Sequence, residues 1–128
     1  MCRMAENNDK ETLYDKMLLE LRRGVLMLAV LSQLEQEQYG YSLKQILSDQ
    51  GLDINEGTLY PLMRRLESQG LLESEWQVVD DTRPRRYYKI STAGQTILSN
   101  LTQEWQALVL TMDHLLNHDG GDKWKSTN

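Results

Sequence analysis

Two short stretches carry the residues of this sequence best equipped for recognition. The first is NEGTLYPLMRRLESQGLL, Asn55 to Leu72. Asn55, Thr58 and Tyr60 offer short hydrogen-bonding groups, and Arg64 and Arg65 follow about one helical turn later. The second is RPRRYYK, where Arg83, Arg85, Arg86 and Lys89 meet no acidic residue. Amides and hydroxyls can read base edges, while guanidinium and ammonium groups hold phosphates. Contact with a nucleic-acid duplex is the chemistry the two stretches share. A lone basic cluster is more often a solvated turn, so the pairing of the two carries the weight.

Other chemically capable residues do not assemble into a site. His114 and His118 are spaced i, i+4, as two metal ligands would be, yet no Cys, Asp or Glu cluster completes a set. A histidine near a helix C-terminus suits the helix dipole without any metal. Asp80 and Asp81 belong to DDTRP, a turn composition. Cys2 stands alone in a polar segment, a poor setting for a nucleophile. No G-x-S-x-G, phosphate loop or dinucleotide fingerprint is present. The sequence therefore reads as a non-enzyme without metal or cofactor.

The length of 128 residues fits one domain, and 40% hydrophobic with 26% charged residues is ordinary for a globular chain. The longest apolar run, GVLMLAVL, has 8 residues, whereas a membrane span needs roughly 20. No small-residue cleavage site follows it, so neither a signal peptide nor a membrane partner is expected. The single Cys2 forms no internal disulfide, which fits a cytoplasmic protein. Net charge is −5, which by itself argues against nucleic acid. Its distribution argues otherwise: residues 55–90 hold 6 basic and 6 acidic side chains, and the basic ones cluster.

These residues need a frame. Residues 1–12 lack periodicity and are expected as a loose tail. From Leu13 to Leu34 the pattern is helical: Leu18, Leu21, Val25, Leu28 and Leu31 form a stripe that Met17, Met27, Val30 and Leu34 widen. Such a helix is expected to be central, or shared with a second subunit. A short helix over about 41–50 follows, closed by Gly51, and a third over about 56–69, closed by Gly70. Pro61 suits the third helix only if its first turn starts at Gly57 or Thr58; a start at Asn55 would force a kink. LLESEWQVV alternates, with Leu72, Trp76 and Val78 on one face, and RRYYKI reads as the return strand. Ser91 or Thr92 caps a last helix in which Leu98, Leu101, Trp105, Leu108, Met112 and Leu115 are spaced 3, 4, 3, 4, 3.

The order helix, helix, helix, strand, basic turn, strand, long helix is that of a winged helix. The third helix would enter the major groove and the hairpin would lay cations along the phosphates. The fold class expected is mainly α (α+β), with a two-stranded wing. The winged-helix domain spans 13–90, the dimerisation helix 91–118, and a second tail 119–128.

The stretches YGYSL (39–43), EGTLYPLMRRLESQGLL (56–72) and RPRRYYKISTAG (83–94) resemble the PadR-type winged-helix transcription regulators, in particular the shorter members with one C-terminal helix. The resemblance covers roughly residues 17–117. Where the family has threonine before the last helix, this chain has Ser91. The resemblance implies a homodimer on double-stranded operator DNA, usually a repressor, that lets go on binding a small molecule. It adds Tyr39, Tyr41 and Lys44 to the expected DNA contacts. It implies that the first and last helices build the dimer and that some members bind flat aromatic effectors there. That points to Trp105, Leu101, Leu21, Val25, Leu18 and Val109 as effector contacts. From spacing alone Trp105 is a core residue of the seam. The competing expectation is a helical interaction module that uses the seam for another protein and never meets DNA.

Overall fold

Apolar periodicity, two glycine stops and one proline-free N-terminus divide the chain into elements. A computed structural model describes residues 2–78, 80 and 83–117, with side chains from Thr12 onward. In order these residues form α1 (Cys2–Gln33), β1 (Gln38–Tyr39), α2 (Gly40–Asp49), α3 (Glu56–Ser68), β2 (Leu72–Gln77), β3 (Arg85–Ile90) and α4 (Thr92–Asn117). The fold is a mainly helical winged helix with a long C-terminal helix. Its core joins Val30 and Leu31 of α1, with Leu34 just past its end, to Leu43 and Leu47 of α2, and to Leu59, Leu62, Met63 and Leu66 of α3. Leu72, Tyr88 and Ile90 seal it from the sheet side. Burial of each such leucine stabilises by about 1.5–3 kcal/mol.

Gly51 and Gly70 terminate α2 and α3 at φ 97° and 83°, a region L side chains rarely enter. Each is followed by the return bond of a helix stop: Leu52 N–H donates to Leu47 O at 2.8 Å, and Leu71 N–H to Leu66 O at 3.0 Å. The second stop turns the chain straight from α3 into β2. Ser91 then caps α4. Its hydroxyl donates to Gly70 O at 2.6 Å and accepts from Gly94 N–H at 2.9 Å. The expected capping role of Ser91 is therefore met, and the same oxygen ties α4 to the end of α3.

Several sequence expectations are corrected here. Residues 2–12, expected as a tail, continue α1. No Pro or Gly interrupts the chain before Gly24, and adding residues to an existing helix costs far less than starting one. The sheet has three strands in the order β1-β3-β2, not two. Gln38 and Tyr39 pair with Tyr88 and Tyr87 on the free edge of β3; two residues are too few to show alternation. Trp76 and Val78, predicted to share the inner face with Leu72, are instead 65% and 63% exposed, and Val78 lies beyond the end of β2. The sheet outruns the helices beneath it, so only Leu72 of the three reaches the core. Leu98, expected on the dimer seam, is buried in the chain's own core, because the first turns of α4 lie against α1 and the sheet. The tail 119–128 and His118 lie outside the described residues.

Gly94 carries the tightest backbone approach. A Cβ there would stand 2.2 Å from Leu71 O and 2.7 Å from Ile90 Cγ1. Backbone cannot yield as a flexible side-chain tip can, so Gly94→Ala is expected to destabilise by about 1–3 kcal/mol. Urea unfolding at fixed protein concentration measures this, and an unchanged midpoint would contradict the close approach.

Candidate nucleic-acid interface

The candidate interface is built by α3 and the β2–β3 hairpin. Asn55 is the N-cap of α3, its Oδ1 accepting from Thr58 N–H at 2.9 Å. One of the side chains predicted to meet DNA thus first serves the helix that carries it. The helix starts at Glu56, which places Pro61 sixth, beyond the four orphan N–H groups. The start left open by the sequence is thus Glu56, between the two alternatives, and Pro61 stands outside the safe first turn. The Gly57 carbonyl loses its i+4 donor, but Gly57 is exposed and water can satisfy it. Leu59, Leu62, Met63 and Leu66 face inward as predicted, which leaves Arg64 and Arg65 exposed on the outer face. Neither has an ion-pair partner among the described residues.

Tyr60 is half-buried against α2. Gly40 makes room for it, since a Cβ at Gly40 would meet Tyr60 Cε1 at 2.5 Å. Burial pushes the Tyr60 phenol above its ordinary value, and the charge and hydrogen bond of Glu56 push the same way. Tyr41 is exposed, and its hydroxyl accepts from Gln45 Nε2 at 3.0 Å. Lys44, one turn on, is half-buried on α2.

The wing carries a cation–aromatic relay. The Arg85 guanidinium lies 4.5 Å from the centre of the Tyr39 ring. Tyr39 in turn meets Tyr87 edge-to-face at 5.5 Å. The third strand that periodicity could not reveal is what delivers Tyr39 to this place. Arg83 and Lys89 are exposed, Lys89 standing opposite Glu73 in the ladder. Arg86 differs from its neighbours, because it is paired with Glu67 at 3.1 Å. A cleft of about 390 Å³ lies between α3 and the wing, walled by Tyr39, Tyr60, Arg64, Trp76, Arg85 and Arg86 among others. Five of those six are expected DNA contacts; Trp76 is expected on the core face.

A second hollow, about 280 Å³, lies between α1 and α4. Its wall includes Leu21, Val25, Leu28, Leu101, Trp105 and Leu108, with Glu104 the one charged side chain on it. Four of the six expected effector residues therefore come together. Leu18 does not: it lines a different hollow with Arg22, Asn55 and Thr58. Val109 does not either, being turned about 100° round α4 from Leu108. Glu104 was missed because a carboxylate on an otherwise apolar helix reads as its solvent side.

Among the described residues no group of three or more His, Cys, Asp or Glu is placed to hold a metal ion. Nor is any helix long and apolar enough to cross a membrane.

Comparison with known proteins agrees with this geometry. Residues 27–100 match the model of the transcriptional regulator PadR-like family. The transcriptional regulator Rv3488 of Mycobacterium tuberculosis is 42% identical over 81 residues, which are 62% of this chain and 75% of that protein. A crystal structure of a PadR-family transcriptional regulator from Eggerthella lenta is similar at TM-score 0.75 and 42% identity, covering 94% of this chain and 98% of that one. A PadR-like transcriptional regulator from Bacillus cereus is similar at TM-score 0.70 and 30% identity, over 80% and 99% of the two chains.

The two interface tyrosines give a pH prediction. Burial is the main cause that raises both Tyr60 and Tyr88, with Arg86 and Arg64 partly opposing it at Tyr88. A phenol raised in the folded state stabilises fully below the ordinary value of 10.0 and loses that contribution as pH climbs through the folded value. The melting temperature is therefore expected to fall as pH rises above the ordinary value of 10.0, and to fall less steeply in Tyr60→Phe/Tyr88→Phe. Parallel profiles for the two proteins would refute the assignment.

Proposed function

The chain belongs to the PadR-like family of transcriptional regulators, and from that premise we propose that it is a homodimeric repressor released from operator DNA by a flat, aromatic effector. As a member of that family it is a DNA-binding regulator and not an enzyme. The interaction-module reading, which dispensed with DNA, is set aside on that ground.

The observation that carries the dimer is the bare outer half of α4. Trp105, Leu108, Met112 and Leu115 are 41%, 54%, 43% and 67% exposed, and Leu13, Tyr14, Met17 and Leu21 of α1 lie bare as well. A surface of this kind marks an interface. The heptad spacing makes α4 self-complementary, as a two-fold contact requires. A second copy is thus the occupant we assign to it. Two-fold symmetry would present two α3 helices and two wings to half-sites about one helical turn apart, roughly 34 Å.

The hollow beside Trp105 supports the effector. Ligand sites span roughly 300–1,000 Å³, so the hollow of about 280 Å³ in one chain makes half of a site shared by two. Paired Trp105 rings would stack a planar guest. Glu104, with no Lys or Arg on the wall, favours a guest with a cationic edge. α1 supplies the link to DNA: Leu21 and Val25 line this hollow, and Leu18 and Arg22 line the one that reaches Asn55 and Thr58 of α3.

The decisive experiment selects duplexes from a random-sequence library and titrates them with the full chain. Arg64→Ala and Arg85→Ala are each expected to weaken binding; wild-type affinity in both would remove α3 and the wing from the interface. For the effector, Trp105→Ala is expected to abolish binding of planar aromatic dyes while sedimentation still reports a dimer. Glu104→Gln should weaken cationic dyes only. Undiminished dye binding in the Trp105 variant would dispose of the effector site.

A further inference from the structure

Three side chains from three elements close a ring at the base of the wing. Glu67 stands in the last turn of α3, Ser74 on β2 and Arg86 on β3. Ser74 Oγ donates to Glu67 Oε2 at 2.6 Å, and Arg86 Nε donates to Ser74 Oγ at 2.9 Å. Arg86 Nη2 then donates to both Glu67 oxygens, at 3.1 and 3.4 Å. The guanidinium also lies 5.8 Å from the Trp76 ring and 5.7 Å from the Tyr88 ring. Trp76, outside the core, thus stands beside the Arg86 guanidinium.

We propose that Arg86 is a positioning residue which, with Glu67 and Ser74, fixes the angle between the wing and α3 and does not itself neutralise a phosphate. This rests on the reading of α3 and the wing as the DNA-binding face. Three observations carry it. First, the charge of Arg86 is already answered by Glu67, whereas Arg64 and Arg65 have no partner among the described residues. Second, the ring is a second attachment between sheet and helix. The first is the Ser91–Gly70 bond at the end of β3. The ring lies further out, two residues beyond Leu72 on β2 and two before Tyr88 on β3. One attachment leaves a hinge; two fix an angle. Third, a carboxylate at the end of a helix that approaches DNA works against binding by simple electrostatics. Glu67 has a reason to be there if it holds the wing. A single ion pair this exposed would do little, but the planar fork of arginine with a bridging hydroxyl fixes direction as well as distance.

The test exploits the sign of the effect. Glu67→Gln removes an anion near DNA, so electrostatics alone predicts tighter binding. The positioning role predicts that the full-length variant binds the selected duplex roughly tenfold more weakly, the size of coupling expected within one hydrogen-bonded network. Ser74→Ala, which changes no charge, should move in the same direction. Arg86→Glu should bind worst, and Glu67→Arg combined with Arg86→Glu should recover most of the loss. A phosphate contact would show no such recovery. Circular dichroism melts confirm that each variant is folded, and a scrambled duplex reports whether the loss is specific to the selected one. Glu67→Gln binding as tightly as wild type or tighter, or a charge swap without recovery, overturns the positioning role alone. If the wild-type chain selects no duplex, the DNA reading falls and the positioning role with it.

Discussion

The rest of the molecule depends on the corner at Gly70 and Leu71. Gly70 ends α3 in a left-handed turn, and within a few ångströms its carbonyl takes the Ser91 hydroxyl while the Leu71 carbonyl takes Ser91 N–H at 3.0 Å. Gly94 presses its bare Cα against the same Leu71 carbonyl. Ile90 N–H reaches Leu34 O at 2.8 Å, fastening the sheet to the end of α1. So α1, α3, the wing and α4 all meet within a few residues of one turn. Buried backbone groups must be paired, and here the pairing is also what orients the outer face of α3 relative to the wing.

A frame of this kind lets an acidic protein carry a basic face. The net charge is −5, yet Arg64, Arg65, Arg83, Arg85 and Lys89 sit on α3, the hairpin turn and β3, while α4 contributes no Lys or Arg. If these residues form the proposed DNA face, the acidic remainder would disfavour the polyanion elsewhere, and affinity would fall steeply with salt.

Much of this was legible in the sequence because local signals and tertiary demands agree. Asn55, Gly51 and Gly70 are residues whose side chains, or lack of them, set helix ends wherever they occur. The bounds of α2 and α3 accordingly fell within a residue or so of expectation. The Leu59, Leu62, Met63, Leu66 stripe has one partner surface to face. The misses share a different origin: in each, burial depends on what lies opposite. Trp76 alternates correctly with Leu72, but nothing in its own strand says that the core ends at Ser74. Leu98 keeps the seam spacing, but α4 crosses α1 at that level and buries it at home. Gln38 and Tyr39 become a strand only because β3 offers a free edge. Arg86 looks like every other cation in RPRRYYK until Glu67, nineteen positions away in sequence, is seen beside it.

The proposed dimer constrains how an effector can act. A guest held between two Trp105 rings binds the dimer and not the separated chains, so by mass action it stabilises the dimer. Release of DNA cannot then come from dissociation. It must come from a different arrangement of the same two chains, to which the guest binds more tightly than to the arrangement that grips DNA. In that proposal α1 would pass on the change, because it lines both the Trp105 hollow and the hollow that reaches Asn55 and Thr58. A tilt of α1 would shift the two α3 helices together, since each is fastened to its own wing. In the proposed dimer, two reading heads moved as rigid bodies would lose register with both half-sites at once, so a small displacement at the ligand would suffice to release the operator.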